Sequence, residues 1–256
     1  MALIKHEFPI LEYDSNRLAV ISPTHENLPL ALPNKAVFAF LGDHIDTYAK
    51  LHNSRIVATF ESCTKQYPIY VTEYNNQQIC LCQAPMGSAA ATQILDWLIG
   101  YGVKEIIATG SCGALTHLPE NTFLVPTKAL RDEGTSYHYL PPSRFVYADS
   151  VACKAIEKTL SENGIAYIEC TTWTTDGFYR ETKEMVEYRI QEGCSVVEME
   201  CSALMACCQF RGVRFGQMLF TADSLADTHN YQERGWGKES WSVALSLCLD
   251  AVCNLP

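Results

Sequence analysis

Short apolar runs that alternate with helical segments most constrain the fold of this chain. Strand-like runs recur along the sequence, among them AVFAFLG from position 36, KEIIAT at 104–109, SVVEM at 195–199 and QMLFTA at 217–222. Segments with helical spacing of apolar residues lie between them, for example at 88–102 and 149–163. This alternation predicts a three-layer α/β/α single domain with a mixed, largely parallel central sheet.

The sequence predicts a short N-terminal arm and one large domain. Residues 1–35 contain Pro9, Pro23, Pro29 and Pro33 without a periodic pattern, which predicts an extended N-terminal arm. Residues 36–256 are predicted to form the catalytic domain. Within it, RIVATF, PIYVTEY and QICLCQA are predicted strands, and a hairpin at Asn75-Asn76 joins the last two. A helix capped by Ser88 and a closing helix over 238–253 complete the outline.

Composition excludes several classes of function. The formal net charge is −10 and no basic run interrupts it, so nucleic acid is not a predicted partner. Twelve cysteines contain no C-x-x-C pair, which predicts reduced thiols and no metal site. The apolar segment 241–253 is too short to span a bilayer, and the N-terminal residues lack an apolar signal core. The expectation is a cytoplasmic protein without a membrane partner.

Polar residues follow several predicted strands at the point where each strand ends. They lie at Gly42-Asp43, Gly110-Ser111, 176–180, 198–200 and Asp223. Ligands of open α/β sheets bind at the carboxyl ends of the strands, so these positions are the candidate site.

Each of these features also has a purely structural interpretation. Gly110-Ser111-Cys112-Gly113, predicted as a loop, is either an oxyanion-binding turn or an ordinary one. Glu198 and Glu200 lie on one face of an extended strand end, where they either favour a helix N-terminus or accept sugar hydroxyls. Asp223 is either a loop cap or an acid catalyst.

Together these elements resemble the nucleoside phosphorylase family of the purine nucleoside and uridine phosphorylase type, which includes methylthioadenosine nucleosidases. The resemblance covers about residues 36–252. Its carriers are FLGD at 40–43, TGSCGAL at 109–115, TDGFY at 175–179, VEMECSAL at 197–204 and TADS at 221–224. Phe178 precedes Glu200 by 22 positions, and Glu200 precedes Asp223 by 23, which are similar to the family's intervals.

The resemblance implies a role for each matching position. Glu200 would bind the ribose hydroxyls with Glu198 nearby, Met199 would pack on the sugar and Phe178 would stack on the base. Asp223 would be the general acid that protonates a purine ring nitrogen, because breaking a C–N glycosidic bond leaves negative charge on the base. Gly42, Gly110 and Ser111 would lie on the phosphate side. The family also implies a homo-oligomer, a dimer or hexamer.

The phosphate side departs from the family pattern. Asp46 and Ala108 stand where the phosphorolytic members have arginine, and only Lys65 could replace a third arginine that a neighbouring subunit donates. In one alternative phosphate binds through Ser111, backbone N–H groups, Lys65 and Arg180. In the other, water is the nucleophile and Asp46 is its general base, unless Asp46 is simply an acid at a helix start.

The sequence therefore predicts a nucleoside phosphorylase that transfers the pentosyl group of a purine nucleoside to phosphate, with phosphate as co-substrate and no cofactor. A nucleosidase and a non-catalytic nucleoside-binding protein are the alternatives. The presence of both Glu200 and Asp223 argues against the last, because binding alone does not require a proton donor.

Overall fold

The apolar strand after position 34 forms the middle of a ten-stranded sheet. The computed structural model describes residues 3–256, and in it β1 (Lys35–Ala39) pairs in parallel with β4 (Gln77–Gln83) and β5 (Glu105–Ala114). Residues 36–39 are completely buried. A strand covered on both faces has to be apolar throughout, which explains the unbroken run in the sequence.

The other elements follow in chain order. The remaining strands are β2 (Arg55–Glu61), β3 (Gln66–Tyr74), β6 (Phe123–Asp132), β7 (Phe145–Tyr147), β8 (Tyr167–Thr175), β9 (Cys194–Glu198) and β10 (Arg214–Ser224). The helices are α1 (His44–Leu51), α2 (Ser88–Gly100), α3 (Ser150–Glu162), α4 (Lys183–Gln191), α5 (Cys201–Arg211) and α6 (Trp241–Cys253). Short 3-10 turns occupy Pro9–Leu11, Thr135–His138, Phe178–Arg180 and Lys238–Ser240.

Half of the sheet closes on itself. The strand order is β10-β6-β8-β9-β5-β1-β4-β3-β2, β7 pairs with β6, and β10 also pairs with β5. The strands β5, β10, β6, β8 and β9 therefore form a ring, and β1, β4, β3 and β2 extend from it. Each ring strand contributes one member of a small buried cluster, which comprises Cys112, Leu219, Leu124, Cys170 and Val196.

The predicted three-layer fold with a mixed sheet is confirmed. Helices α2 and α5 pack on one face of the sheet, and α3 and α6 pack on the other. Five strand pairings are parallel and five are antiparallel among the described residues. The antiparallel share exceeds the largely parallel expectation because the β2–β3–β4 meander and the pairings β5–β9, β6–β7 and β6–β10 add to it.

Two local predictions are wrong. The segment Gly110–Gly113 is not a loop, because β5 continues through it and pairs with β10 from Leu219 onward. Ser88 does not cap α2: Gly87 occupies the N-cap position with φ +94°, and the Ser88 hydroxyl donates to the Met199 carbonyl at 2.6 Å. Both departures have long-range causes, since a distant strand and a distant backbone carbonyl supply the partners.

The predicted hairpin and the predicted α3 are confirmed. Asn75 and Asn76 have φ angles of +48° and +59°, as a two-residue type I′ turn between β3 and β4 requires. The Asp149 side chain accepts hydrogen bonds from the N–H groups of Val151 and Ala152 and so caps α3, and Gly164 follows the helix with φ +67°.

The segment before β1 has one 3-10 turn and otherwise no regular structure among its described residues. It is anchored where the Leu32 N–H donates to the Tyr101 carbonyl at 2.8 Å and the Trp97 indole donates to Glu26 at 3.0 Å. The division into an arm and a catalytic domain stays a prediction, as does the homo-oligomer.

Cysteines serve mainly as small core residues. All twelve are free thiols, ten of them are buried, and Cys63 alone among them is exposed. Burial raises the thiol pKa of Cys80 to about 12, which leaves it unreactive at neutral pH. Among residues 3–256, no helix has the length and apolarity needed to cross a bilayer.

Gly216 provides a stability test of the contact between β10 and α3. A Cβ at this position would lie 2.9 Å from the Ala152 Cβ and 3.0 Å from the Ile156 Cδ1, so Gly216→Val is expected to lower the free energy of unfolding by about 1–3 kcal/mol. Denaturant unfolding measures the change. Gly134→Ala is the control, because its new Cβ would meet no atom closer than 3.8 Å. Equal stability of the two variants would contradict the packing described.

Candidate active site

Three strands of the closed ring end at a cavity of about 640 Å³. It lies where β5, β9 and β10 finish, together with the loop that follows β1. Eight of the nine site residues predicted from the sequence line it, namely Gly42, Gly110, Ser111, Phe178, Glu198, Met199, Glu200 and Asp223. The ninth, Arg180, lies in the 3-10 turn that contains Phe178, but it is exposed and does not line the cavity.

The carboxylate of Glu198 is fully hydrogen-bonded within the protein. Its Oε1 accepts from the hydroxyls of Thr172 at 3.1 Å and Thr174 at 2.6 Å. Its Oε2 accepts from the backbone N–H groups of Glu200 at 2.7 Å and Cys201 at 2.6 Å. Burial raises the pKa of Glu198 and these donors oppose the rise. Glu198 therefore fixes the start of α5, which agrees with the helix-start interpretation.

Glu200 points from the start of α5 toward the start of α2. It is 7% exposed, and its Oε1 accepts a hydrogen bond from the Gly87 N–H. Burial, followed by the nearby charge of Glu198, raises the pKa of Glu200 to about 8. Its remaining acceptor capacity faces the cavity, where sugar hydroxyls are suitable donors.

Asp223 lies at the end of β10 on the other side of the cavity. It is 6% exposed, and burial raises its pKa, while hydrogen bonding to the Tyr231 hydroxyl and the charge of Arg234 oppose the rise. Gly113 of β5 allows its close approach, because a Cβ there would lie 3.2 Å from the Asp223 Oδ1. A carboxyl with a raised pKa is suited to donate a proton.

Aromatic side chains line the same end of the cavity. Phe178 and Tyr179 form an edge-to-face pair with ring centroids 5.0 Å apart, and Trp236 lies on the cavity wall with them. Phe178 is 42% exposed, which is high for a phenylalanine. An exposed ring beside a cavity offers a stacking surface to a planar ligand.

The opposite end of the cavity contains the residues of the expected phosphate side. Lys65, in the turn between β2 and β3, lines the cavity of its own chain together with Ser111, and its ammonium lies 3.4 Å from the Gln83 side-chain oxygen. Gln217, which sequence reasoning missed, also lines it. Gln217 is 2% exposed, its Oε1 has no hydrogen-bond partner in the described chain, and it pairs in register with Ala108. A neutral amide thus neighbours the position where arginine was expected.

Asp46 does not reach the cavity. It lies in the first turn of α1 and accepts a hydrogen bond from the Tyr70 hydroxyl at 2.8 Å. It is not among the residues that line the cavity. The structure therefore supports Asp46 as an acid at a helix start and contradicts its placement as the base that activates water.

Glu181 is a second residue that the sequence did not single out. Its carboxyl lines the cavity, and burial together with the negative charge of Asp223 raises its pKa to about 7. The segment around it is polar and lacks periodicity, so its only sequence signal is its position three residues after Phe178.

The cavity is strongly acidic. Four carboxyl side chains line it, those of Glu181, Glu198, Glu200 and Asp223. Among residues 3–256, Lys65 is the only cationic side chain that lines it. The same part of the chain contains no group of three or more His, Cys, Asp or Glu residues arranged to hold a metal ion.

Comparison with known sequences identifies relatives. The sequence profile of the Phosphorylase superfamily matches residues 35–253. A guanosine phosphorylase of Halorubrum lacusprofundi is 25% identical over 153 residues, which span 59% of this chain and 64% of that protein. A uridine phosphorylase of Haemophilus influenzae is 25% identical over 174 residues, which span 62% of this chain and 69% of that one. The matched region is thus just under two thirds of the first relative's length.

Comparison with solved structures agrees with the fold. The AMP nucleosidase of Bacteroides thetaiotaomicron superposes with a TM-score of 0.71 at 22% identity, over 86% of this chain and 87% of that one. At this identity the similarity shows the fold alone.

The raised pKa of Glu200 predicts how stability depends on pH. Its folded-state value of about 8 lies above the ordinary 4.5, so the folded protein holds a proton that the unfolded chain loses. The free energy of unfolding of the wild type should therefore fall as pH rises between these values. The amide of Glu200→Gln cannot ionise. Between pH 5 and pH 8.5 the free energy of unfolding of this variant should therefore increase by more than about 1 kcal/mol relative to that of the wild type. Denaturant titrations at both pH values measure this. The exposed Glu184→Gln is the control; an identical pH response of wild type and Glu200→Gln would disprove the shift.

Proposed function

This chain belongs to the phosphorylase superfamily, and from that premise we propose that it cleaves the N-glycosidic bond of a purine nucleoside, with phosphate as the acceptor. The products would be the free base and ribose 1-phosphate. The observation that carries the proposal is the joint placement of Glu200 and Asp223, two buried carboxyls with raised pKa values, in one cavity.

The two carboxyls complement the two fragments of the substrate. As the bond between C1′ and the ring nitrogen breaks, its electron pair moves to the base and positive charge develops on the sugar. Asp223 donates a proton to the base, which becomes a neutral leaving group. Glu200 accepts hydrogen bonds from the sugar hydroxyls and, when ionised, stabilises the sugar cation. A phosphate oxygen then bonds to C1′.

The acidic side chain at position 223 favours a purine substrate. Protonation of the leaving base needs a basic ring nitrogen outside the glycosidic bond, and the imidazole ring of a purine supplies one. The aromatic rings of Phe178 and Tyr179 lie at the same end of the cavity as Asp223, where they can stack on a flat bicyclic base.

Hydrolysis is the second candidate, and the shortage of cationic side chains in the cavity favours it. Phosphate is a dianion that proteins usually hold with arginine, whereas this cavity offers Lys65, Ser111 and the amide of Gln217 beside four carboxyls. Water carries no charge and needs no cationic partner. In the hydrolytic reaction water bonds to C1′, and its proton passes to solvent or to the carboxylate that Asp223 has become.

Asp223→Asn tests the acid. The amide cannot supply the proton, so we expect kcat for purine nucleosides to fall by about 10²–10⁴-fold while nucleoside binding persists. Base release measured spectrophotometrically, with binding followed by calorimetry, separates the two effects. Asp14→Asn, an exposed change in the N-terminal segment, is the control. Full activity of Asp223→Asn would exclude this residue as the acid.

Whether phosphate or water accepts the sugar is tested by assaying base release with and without phosphate. Phosphorolysis predicts release only with phosphate, ribose 1-phosphate as product, and a KM for phosphate that rises about tenfold in Lys65→Gln, the loss expected for one charge-assisted hydrogen bond. Lys50→Gln on the exposed face of α1 is the matched control. Release of free ribose at an unchanged rate without phosphate would establish hydrolysis instead.

A further inference from the structure

A second cavity of about 480 Å³, the outer cavity, adjoins the first at its aromatic end. The two cavities share five lining residues, namely Phe178, Tyr179, Glu181, Asp223 and Trp236. The first cavity, of about 640 Å³, already has the size of a complete small-molecule site, which is roughly 300–1,000 Å³. A nucleoside and its acceptor fit there, so an unsubstituted nucleoside leaves the outer cavity without an occupant.

The outer cavity has an apolar floor. Val186 of α4 and Leu225, which follows β10, form this floor. Both pack in the apolar cluster that contains Trp173 and Val197. Val186 is buried, so the floor is continuous with the core beneath the sheet end. Apolar surface of this kind is stabilised when an apolar group covers it and removes it from water.

Aromatic side chains form the walls of the outer cavity, and they face solvent. Tyr179 is 91% exposed and Tyr231 is 53% exposed, and Phe178 and Trp236 stand beside them. Large apolar side chains that are exposed together around one concave surface indicate a binding site. Their rings offer flat faces that an apolar ligand group can contact.

The charged side chains that line only the outer cavity do not favour a charged ligand. They are Lys183 and Asp227, whose formal charges cancel. The Lys183 ammonium also has partners of its own, the Glu187 carboxylate at 3.9 Å and the His229 ring nitrogen at 3.0 Å. An uncharged apolar group is therefore the better match for this cavity.

We propose that the outer cavity binds an apolar substituent on the exocyclic atom at C6 of the purine. The protein would then act on purine nucleosides whose base is enlarged at this position. This inference rests on the proposed function and adds a substrate class to it.

The position of Asp223 connects this substituent to the outer cavity. Asp223 lines both cavities, and in the proposed reaction it protonates N7, the free nitrogen of the imidazole ring. N7 and the exocyclic atom at C6 lie side by side on one edge of a purine. When N7 is at Asp223, a substituent at C6 therefore leaves the base where the two cavities meet. The sugar, bonded to N9, extends in the other direction, toward Glu200.

Turnover of N6-benzyladenosine compared with adenosine tests the proposal. We expect the wild type to prefer the benzylated nucleoside by about 10- to 100-fold in kcat/KM, which is the gain expected from burying one phenyl ring. Steady-state base release measures both values. Equal turnover of the two nucleosides, or slower turnover of N6-benzyladenosine, would overturn the inference.

Thr228→Trp tests where the substituent binds. Thr228 lines the outer cavity and not the first, and it is only partly buried, so an indole at this position fills the outer cavity without entering the core. The preference for N6-benzyladenosine should fall to about 1 or below. Asn230→Trp is the matched control, because Asn230 is exposed and lines neither cavity, and it should keep the wild-type ratio. A preference that persists in Thr228→Trp places the substituent elsewhere and contradicts the proposal.

Binding of the free bases keeps this test separate from that of the proposed function. Adenine and N6-benzyladenine are titrated calorimetrically into the wild type and both variants. Tighter binding of N6-benzyladenine than of adenine by the wild type, lost only in Thr228→Trp, supports the inference even if no nucleoside is cleaved, a result that would overturn only the proposed function. Equal binding of the two bases by the wild type overturns the inference, and cleavage of adenosine would then leave the proposed function intact.

Discussion

The buried carboxylate of Glu198 connects the ring of strands to the helix that carries the site. Two of its hydrogen bonds come from hydroxyls of β8 and two from N–H groups at the start of α5. A buried charge is tolerated only when its acceptors are satisfied, so all four donors are needed together. Because α5 is fixed in this way, Glu200 meets the Gly87 N–H at the start of α2. One network thus sets both the helix positions and the sugar side of the cavity.

The cavity concentrates buried carboxyl groups that folding alone would avoid. Glu200 and Glu181 have pKa values raised to about 8 and 7, and burial is the main cause in both. Each raised value means that ionisation opposes the folded state. Cleavage of a bond that separates charge needs both a proton donor and hydrogen-bond acceptors in the same small space. The raised pKa values of these carboxyls are consistent with that need. Binding of a ligand with several hydrogen-bond donors would stabilise their ionised forms.

The sequence was informative where local pattern decides structure. The apolar run of β1, the Asn75-Asn76 turn and the polar residues at strand ends were all visible in it. Ring closure was not, because β10 pairs with both β5 and β6 across about a hundred positions. The same long-range pairing turned the expected glycine loop into a strand. For Asp46 the sequence left two interpretations open, and the structure supports the acid at a helix start, whose carboxylate accepts from the Tyr70 hydroxyl.

The distribution of cysteines has a practical consequence for following ligands in solution. Cys63 is the exposed thiol among twelve, and it lies in the same turn as Lys65, which lines the cavity. Maleimide dyes react with accessible thiols, and buried thiols with raised pKa values are protected. A fluorophore would therefore attach preferentially at Cys63 without prior mutagenesis. Its emission would report the arrival of an anion beside Lys65 in real time, independently of any chemistry at the sugar.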